Sequence, residues 1–336
     1  MREVVGHEHA RTLLEHAAIT GQISHAYLLT GPERIGKTTL ARTFATLLQC
    51  TGRQPDDPES CGACASCRKI AHGTHPDVEL VAPPAEKVWL PVERVREVVR
   101  AANLAPYEGR WRVFILPRAE RMQAPTANAL LKTLEEPPPH VLLLLTTDDP
   151  SLLLPTILSR CQLLPLHPLP TETVASALRE RWSVVAEEAA TLAGLAGGRL
   201  GWAVAAHQQP ALLERRATLQ REILTLASAT RDARMRQAAT LAPDAEAARQ
   251  ALEEWTLWWR DVVLAAVGVS RLSATGPARE QAERMGRAVG APAAEAFLRR
   301  LVAARQQLEQ NANPRLTLEV LALEMPLAHT PTGPAR

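Results

Sequence analysis

Eight residues near the N-terminus have the types and the spacing of a loop that binds nucleotide phosphates. Residues 31–38, GPERIGKT, fit the pattern G-x-x-x-x-G-K-[ST] in full. In such a loop the backbone N–H groups surround the phosphates, the lysine charge faces the β- and γ-phosphates, and the hydroxyl reaches Mg²⁺. The residues expected to contact a nucleotide are Gly31, Gly36, Lys37, Thr38 and Thr39.

Four of the five cysteines fall between residues 50 and 67, with the spacing C-x10-C-x2-C-x2-C. Thiolates at C-x2-C spacing can share one tetrahedral zinc at a Zn–S distance of about 2.3 Å, and four of them leave no position for water. The pattern predicts a structural zinc module. The alternatives are reduced core cysteines, a redox switch, or His72 or His75 in place of one cysteine. The predicted ligands are Cys50, Cys61, Cys64 and Cys67.

The elements around these residues alternate between strand and helix patterns. Residues 25–30 form a short apolar run, and residues 37–49 place apolar side chains on one helical face. Two further apolar runs, 112–116 and 141–145, flank a helical pattern at 126–136. Because strands alternate with helices, the sequence predicts a parallel α/β sheet that is covered on both faces.

The strand predicted at 112–116 lacks the acidic end that ATP hydrolysis needs. It runs into Pro117 and Arg118, neither of which can bind Mg²⁺. Glu120 is the alternative carboxylate, but its position on the following turn favours exposure to solvent. The loop is therefore compatible with binding of ATP or ADP, leaves Mg²⁺ open, and argues against hydrolysis by this chain alone.

The composition of the chain changes after the sheet region. Residues 1–165 carry the α/β pattern, and the following Ala-rich, charged segments predict a small helical domain at 166–206 and a larger helical block at 207–328. Residues 329–336 form a short tail with two prolines. The 336 residues thus suffice for three domains with separate cores.

Charge and hydropathy exclude several classes of protein. The formal net charge is +2, so no overall basic field marks the chain as an autonomous binder of nucleic acid. The N-terminus has no apolar core of a signal peptide, and no run of eighteen apolar residues occurs. We expect a cytoplasmic protein without membrane contact.

Two groups of side chains have competing interpretations. Thr146 and Thr147 end an apolar strand, where a sensor of the γ-phosphate and a simple strand end fit equally well. Trp255, Trp258 and Trp259 have the spacing of one helical stripe, which is more typical of a core or a subunit interface than of a base-stacking platform.

The phosphate loop and the cysteines occur together with two further segments. Residues 128–137, NALLKTLEEP, and residues 157–161, ILSRC, complete a combination that resembles the clamp-loader branch of the AAA+ family of P-loop ATPases. Shorter similarities to that branch occur at residues 5–7, 75–77 and 311–316. The resemblance covers roughly residues 4 to 325.

The resemblance implies a RecA-like AAA+ domain with a zinc module, a helical lid, and an all-α collar that joins a hetero-oligomeric ring. In the motor (gamma/tau) subunits of this branch, the strand that is here followed by Pro117 and Arg118 ends in Asp-Glu. A sensor arginine of the motor is here Gly201, although another register would make Arg199 the sensor. The chain therefore resembles the non-motor, delta-prime type. Its implied partners are gamma/tau and delta subunits, a sliding clamp and primed DNA.

Arg160 lies in the Ser-Arg-Cys segment. In related loaders this arginine projects into the nucleotide site of a neighbouring subunit, so the resemblance implies a catalytic role in trans. Without the resemblance, a surface arginine that pairs with a helix end is the simpler interpretation. Cys161 has the features of a small buried apolar residue and not of a nucleophile.

Three other functions remain as alternatives. An active motor ATPase of the same branch predicts ATP turnover by the isolated chain. A P-loop nucleotide kinase with a zinc-bearing lid requires an acidic or arginine-rich acceptor site, which the sequence does not show. A zinc-containing DNA-binding protein that acts alone fits poorly with the near-zero net charge.

Overall fold

The computed structural model describes residues 3–54, 57–84, 89–269, 277–309 and 312–327. The strands are β1 (Ala26–Thr30), β2 (Val78–Leu80), β3 (Arg112–Leu116), β4 (Val141–Thr147) and β5 (Gln162–Pro165). They form one sheet in the order β2-β3-β4-β1-β5, in which each pair of neighbours is parallel. The parallel α/β sheet predicted from the sequence is confirmed.

Helices fill most of the rest of the described chain. Those up to residue 182 are α1 (Glu8–Thr20), α2 (Lys37–Gln49), α3 (Ala65–Ala71), α4 (Val92–Ala102), α5 (Ala124–Glu135), α6 (Pro155–Leu158) and α7 (Thr171–Trp182). Those that follow are α8 (Ala186–Ala196), α9 (Leu200–Gln208), α10 (Ala211–Ser228), α11 (Arg231–Leu241), α12 (Ala245–Ala266), α13 (Pro277–Val289), α14 (Ala291–Glu309) and α15 (Pro314–Glu324). None of these helices combines the length and the apolar character needed to cross a bilayer.

The chain forms two compact units. The first contains Met1–Ala177 together with Gly198–Trp202, and the second contains Leu178–Gly197 together with Ala203–Arg336. The division into three domains made from the sequence stays a prediction, and the tail at 329–336 lies outside the described residues.

The core of the first unit lies on both faces of the sheet. All five residues of β1 are buried, and alternate side chains belong to different clusters: Tyr27 and Leu29 to one, Ala26 and Leu28 to the other. Tyr27 packs edge-to-face on Phe44 of α2, with ring centroids 5.6 Å apart. Burial of each such leucine contributes about 1.5–3 kcal/mol relative to exposure, which fixes the position of β1 in the sheet.

The core of the second unit is entirely helical. Trp255, Trp258 and Trp259 of α12 are all buried, and Trp259 packs against Phe297 of α14 with ring centroids 4.9 Å apart. The interpretation of the tryptophan stripe as core is confirmed, because no ring face of a buried tryptophan is open to a nucleic-acid base.

A buried arginine joins helix ends in the second unit. Arg234 of α11 is 2% exposed and donates to the carbonyl oxygens of Ala322 at 3.1 Å, Met325 at 2.7 Å and Ala227 at 3.1 Å. These carbonyls lie at the C-terminal ends of α15 and α10, where helices leave acceptors unpaired. Burial lowers the pKa of Arg234, and the three hydrogen bonds offset part of the cost of burying the charge, although Nε is buried without a partner.

Candidate nucleotide and metal sites

The phosphate loop lies at the carboxyl edge of the sheet, between β1 and α2. Strand β1 pairs with β4 so that Thr30 is opposite Thr147. Because the carboxyl ends of parallel strands meet at one edge, residues that follow β4 lie beside the loop that follows β1. This arrangement brings together side chains that are far apart in the sequence.

Two glycines shape the loop. Gly31 has φ 137 and Gly36 has φ 118, values that disfavour any side chain. A Cβ atom at Gly31 would lie 2.3 Å from the carbonyl oxygen of Leu166, so this position cannot hold a larger residue without moving the backbone. Of the predicted contact residues that follow, Lys37 is buried, Thr38 is half-buried and Thr39 is exposed in the first turn of α2.

The ammonium group of Lys37 forms all of its hydrogen bonds with acceptors of the chain itself. Its Nζ donates to the carbonyl oxygens of Gly31 at 2.7 Å and Pro32 at 2.8 Å, and to Oδ1 of Asp148 at 2.6 Å. An ammonium group has three N–H donors, so all of them are used. The sequence prediction did not include Asp148. The available signal was an acidic residue directly after the last residue of a buried strand.

Arg118 lies just after β3, at a strand end where ATP hydrolysis needs an acidic residue. Its side chain forms an ion pair with Glu33 of the phosphate loop. Its backbone has φ 53 and donates an N–H to Oγ1 of Thr146 at 3.2 Å. The residue after β3 thus places a positive charge beside the loop. The hydroxyl of Thr146 accepts a hydrogen bond from the backbone.

Two more residues of the first unit contact the loop. Nε2 of His7 lies 3.2 Å from the carbonyl oxygen of Ile35, and burial lowers the pKa of His7, which favours a neutral imidazole that donates this bond. A Cβ atom at Gly201 would lie 2.6 Å from the carbonyl oxygen of Arg34, so no side chain fits there. Arg199, the alternative sensor, is buried, and its guanidinium lies 5.9 Å from the centroid of the Trp202 ring.

The four cysteines converge on one point. Their sulfur atoms all lie within 4.8 Å of one another, and Sγ of Cys50 is 4.0 Å from Sγ of Cys64. A tetrahedral Zn²⁺ with Zn–S bonds of about 2.3 Å needs sulfurs roughly 3.8 Å apart. Among the described residues this metal-binding group consists of the four cysteines alone, so neither His72 nor His75 replaces one of them.

The sulfurs are surrounded by donors that favour thiolates. Backbone N–H groups of Cys61, Cys64 and Cys67 point at the sulfurs of Cys50, Cys61 and Cys64 at 3.3, 3.3 and 3.4 Å. Burial opposes ionisation of Cys64, but hydrogen bonds from Thr51 and from the Cys67 N–H outweigh it and lower the pKa to about 5. Burial raises the pKa of Cys67, and the neighbouring sulfur of Cys64 adds to the effect. A bound cation is required before all four thiols can ionise together.

A polar cluster connects the cysteine region to the sheet. Asp77 accepts backbone N–H bonds from Tyr107, Glu108 and Gly109 at 2.6, 2.8 and 2.8 Å. Glu108 is also paired with Lys69 of α3, at 2.6 Å. Helix α3, which carries Cys67, is thereby attached to the segment before β3.

Arg160 lies just after α6 and is partly exposed. Its guanidinium is 2.9 Å from Oε1 of Glu135, the last residue of α5, and donates to the carbonyl oxygen of Thr156 at 3.0 Å. This is the pairing with a helix end that the sequence offered as an alternative, and the role in trans stays a prediction. Burial raises the pKa of the adjacent Cys161 to about 12, which agrees with an unreactive thiol.

Comparison with known proteins finds similarity over most of the first unit. A family model described as "DNA polymerase III, delta subunit" matches residues 6–170. The delta' subunit of DNA polymerase III from Pseudomonas aeruginosa is 39% identical over 178 residues, 52% of this chain and 53% of that protein. The tau subunit from Escherichia coli is 40% identical over 173 residues, 51% of this chain and 26% of that protein. Residues 6–170 are thus similar to clamp-loader subunits of DNA polymerase III.

The similarity is limited to part of each protein. The chain spans about half the length, or less, of the curated relatives it matches, so the similarity alone does not extend to the activity and partners of the whole protein. A solved structure, the RuvB Holliday junction branch migration motor from Thermotoga maritima, is similar with a TM-score of 0.44 and 18% identity over 84% of this chain and 89% of that chain. This likeness carries no weight for function.

Identity does not separate the two types of clamp-loader subunit, because the delta' and tau relatives are almost equally similar. The residues at the carboxyl edge of the sheet distinguish the two types better than the identity does. Arg118 follows β3, and Gly201 leaves no room for a sensor side chain over the loop. Both positions depart from the motor pattern given in the sequence analysis: no carboxylate follows β3 directly, and position 201 has no side chain.

Proposed function

We propose that the chain is a non-motor, delta-prime-type subunit of a replicative clamp loader. It completes a hetero-oligomeric ring with gamma/tau and delta subunits, and the ring opens a sliding clamp and closes it around primed DNA in the cytoplasm. The observation that carries this proposal is the ion pair between Arg118 and Glu33, because a cation occupies the strand end where hydrolysis needs a carboxylate.

The catalytic contribution of the subunit is Arg160, which acts on ATP held by a neighbouring subunit. A guanidinium stabilises the charge that develops on the transferred phosphoryl group. The bond to Glu135 orients Arg160 within the subunit, and partial exposure leaves it accessible to a neighbour. Glu135 is a positioning residue in this proposal.

The cysteine group holds Zn²⁺ as a structural ion. Thiolate ligands favour zinc over Mg²⁺ or Ca²⁺, and four of them leave no open position for chemistry. The ion fixes the segment between α2 and α3. We further assign residues 166–206 to a lid and residues 207–328 to the collar through which the ring assembles.

The phosphate loop takes ATP or ADP through the backbone of Gly31 and Gly36 and through Lys37, with Thr38 and Thr39 at the start of α2. The two residues directly after β3 do not fit Mg²⁺ in the manner of a motor, because Pro117 and Arg118 offer no oxygen ligand from a side chain. Hydrolysis by this subunit is therefore not part of the proposal.

The test is reconstitution of the ring with motor and delta subunits, with ATP turnover measured for wild type and for Arg160→Ala. We expect turnover at the one site that Arg160 serves to fall about 10³-fold, the scale of an arginine finger. Glu135→Gln should cause a smaller loss, and Arg96→Ala, a change at an exposed arginine of α4, should cause none.

Two results would overturn the proposal. Turnover of the ring that is indifferent to Arg160→Ala removes the role in trans. Turnover by the isolated chain that disappears in Lys37→Ala identifies an active motor.

A further inference from the structure

Two cations at this edge of the sheet, Lys37 and Arg118, are each paired with a carboxylate of the chain. Lys37 has 7% of its side chain exposed and Asp148 has 23%, so their contact at 2.6 Å is only weakly screened by water. The second cation, Arg118, is paired with Glu33 of the loop itself. Both of these cations are therefore paired within the chain, whereas Arg34 of the loop is exposed to solvent.

The Asp148 carboxylate has the chemistry of the ligand that the loop would bind. It is an anion that accepts a short hydrogen bond from the lysine ammonium, as a phosphate oxygen does. Because all three donors of Lys37 are used, a phosphate can reach this group only by displacing Asp148 or a loop carbonyl. A displaced Asp148 would then lie beside like charge, which opposes phosphate binding.

We propose that Asp148 is an internal competitor of nucleotide phosphates for Lys37, and that it holds the loop in a self-paired state with low affinity for nucleotide. The inference rests on the proposed phosphate-binding role of the loop. A carboxylate at this position could instead act as a ligand of Mg²⁺, and the two roles have opposite effects on the affinity for nucleotide. A competitor weakens nucleotide binding, whereas a metal ligand strengthens it.

The experiment is calorimetric titration of the full chain with ADP, with Mg²⁺ and with EDTA. Asp148→Asn keeps the shape of the side chain and removes its charge, and it should tighten ADP binding by about tenfold or more, since a hydrogen bond to a charged group is worth that factor. The gain should be present in EDTA and should be lost in the double variant with Lys37→Ala.

Asp149→Asn is the matched control. It removes the same charge one residue away, and the asparagine oxygen can still accept the N–H of Ser151 that Asp149 binds at 2.9 Å. Its ADP affinity should equal that of wild type. Thermal unfolding of each variant confirms folding, and Asp148→Ala provides a second variant if Asp148→Asn is unstable.

Weaker or unchanged ADP binding by the Asp148 variants would overturn the inference, as would a gain that survives loss of Lys37 or an absence of binding in every variant. None of these results affects the role of Arg160. That role is tested by ATP turnover at the motor subunit's site in the assembled ring. One proposal can therefore fail while the other holds.

Discussion

The cysteine group and the phosphate loop differ in whether the chain supplies the partner for their reactive atoms. Among the described residues, the four sulfurs face one another and backbone N–H groups, with no side-chain cation among their hydrogen-bond partners. The lysine of the phosphate loop is already bound to a carboxylate. The thiolates of the first site need a bound cation, whereas the lysine of the second site is already paired with an anion of the chain.

This difference shows that a motif defines which ligand can bind but not whether the site depends on it. The spacing of four cysteines and the G-x-x-x-x-G-K-[ST] pattern are equally complete in the sequence. Only the structure shows that Asp148 forms an ion pair with Lys37 and that Glu33 forms one with Arg118. We therefore expect the fold to depend on metal and to be largely indifferent to nucleotide.

The largest effect expected from this comparison is that of metal removal. Binding of Zn²⁺ supplies on the order of 10 kcal/mol to the folding of small zinc modules, because the thiolates cannot otherwise share one site. Cys67→Ser should abolish metal retention, measured by elemental analysis, and lower the thermal unfolding temperature of the chain. Addition of ADP to wild type, which binds it weakly, should raise that temperature far less than loss of the metal lowers it.

Cys161→Ser is the control for this experiment. Cys161 lies outside the cysteine group, so the variant should keep its metal. A chain that unfolds at the same temperature with and without metal would contradict the comparison.

A smaller effect is expected at the phosphate loop from Gly201→Ala. The added methyl group would lie 2.6 Å from the backbone oxygen of Arg34, and such overpacking lowers the free energy of unfolding by about 1–3 kcal/mol. Urea denaturation measures the change. Helix propensity alone predicts the opposite sign, a gain of roughly 0.5–1 kcal/mol, since Gly201 lies in α9. A stabilised variant would show that the loop is not closely covered.

The smallest effect concerns pH and the cluster that attaches α3. Burial lowers the pKa of His75 below its ordinary value of 6.5, against the opposing charge of Glu108. The unfolded chain therefore takes up a proton at a higher pH than the folded chain does. The stability that neutral His75 contributes is complete above pH 6.5 and is lost as the pH falls from there toward the lowered pKa.

The measurement is the difference in unfolding free energy between wild type and His75→Asn from pH 7 to pH 5. The wild type should lose stability relative to the variant, with a slope of at most about 1.4 kcal/mol per pH unit. Taking the difference removes the contribution of the cysteines, which both proteins share. A difference that is independent of pH, or that grows as the pH falls, would be incompatible with a buried neutral His75.

The sequence predicted those parts of the sites that are local in the chain. The cysteines and the phosphate loop are each contained in a short segment, so spacing alone identifies them. The partner of Lys37 lies 111 residues away, and its position depends on the pairing of β1 with β4. No periodicity in a single sequence specifies which strands are neighbours.

The sequence patterns do not predict the two short strands β2 and β5. β2 has three residues, and β5 has three exposed residues out of four, so neither shows the buried run or the regular alternation that indicates a strand. By contrast β1, β3 and β4 are almost fully buried, and their apolar runs were recognised. Burial on both faces makes central strands visible in a sequence and leaves edge strands obscure.

The buried guanidinium of Arg234 has a consequence for how the second unit comes apart. It holds carbonyl oxygens from α15 and from α10, which lie at opposite ends of this helical block in the sequence. Detachment of α15 alone would leave this charge without two of its three acceptors in an apolar interior, which opposes fraying of α15. We expect the block to melt as one cooperative body, with the amide protons of α15 exchanging with solvent as slowly as those of α10.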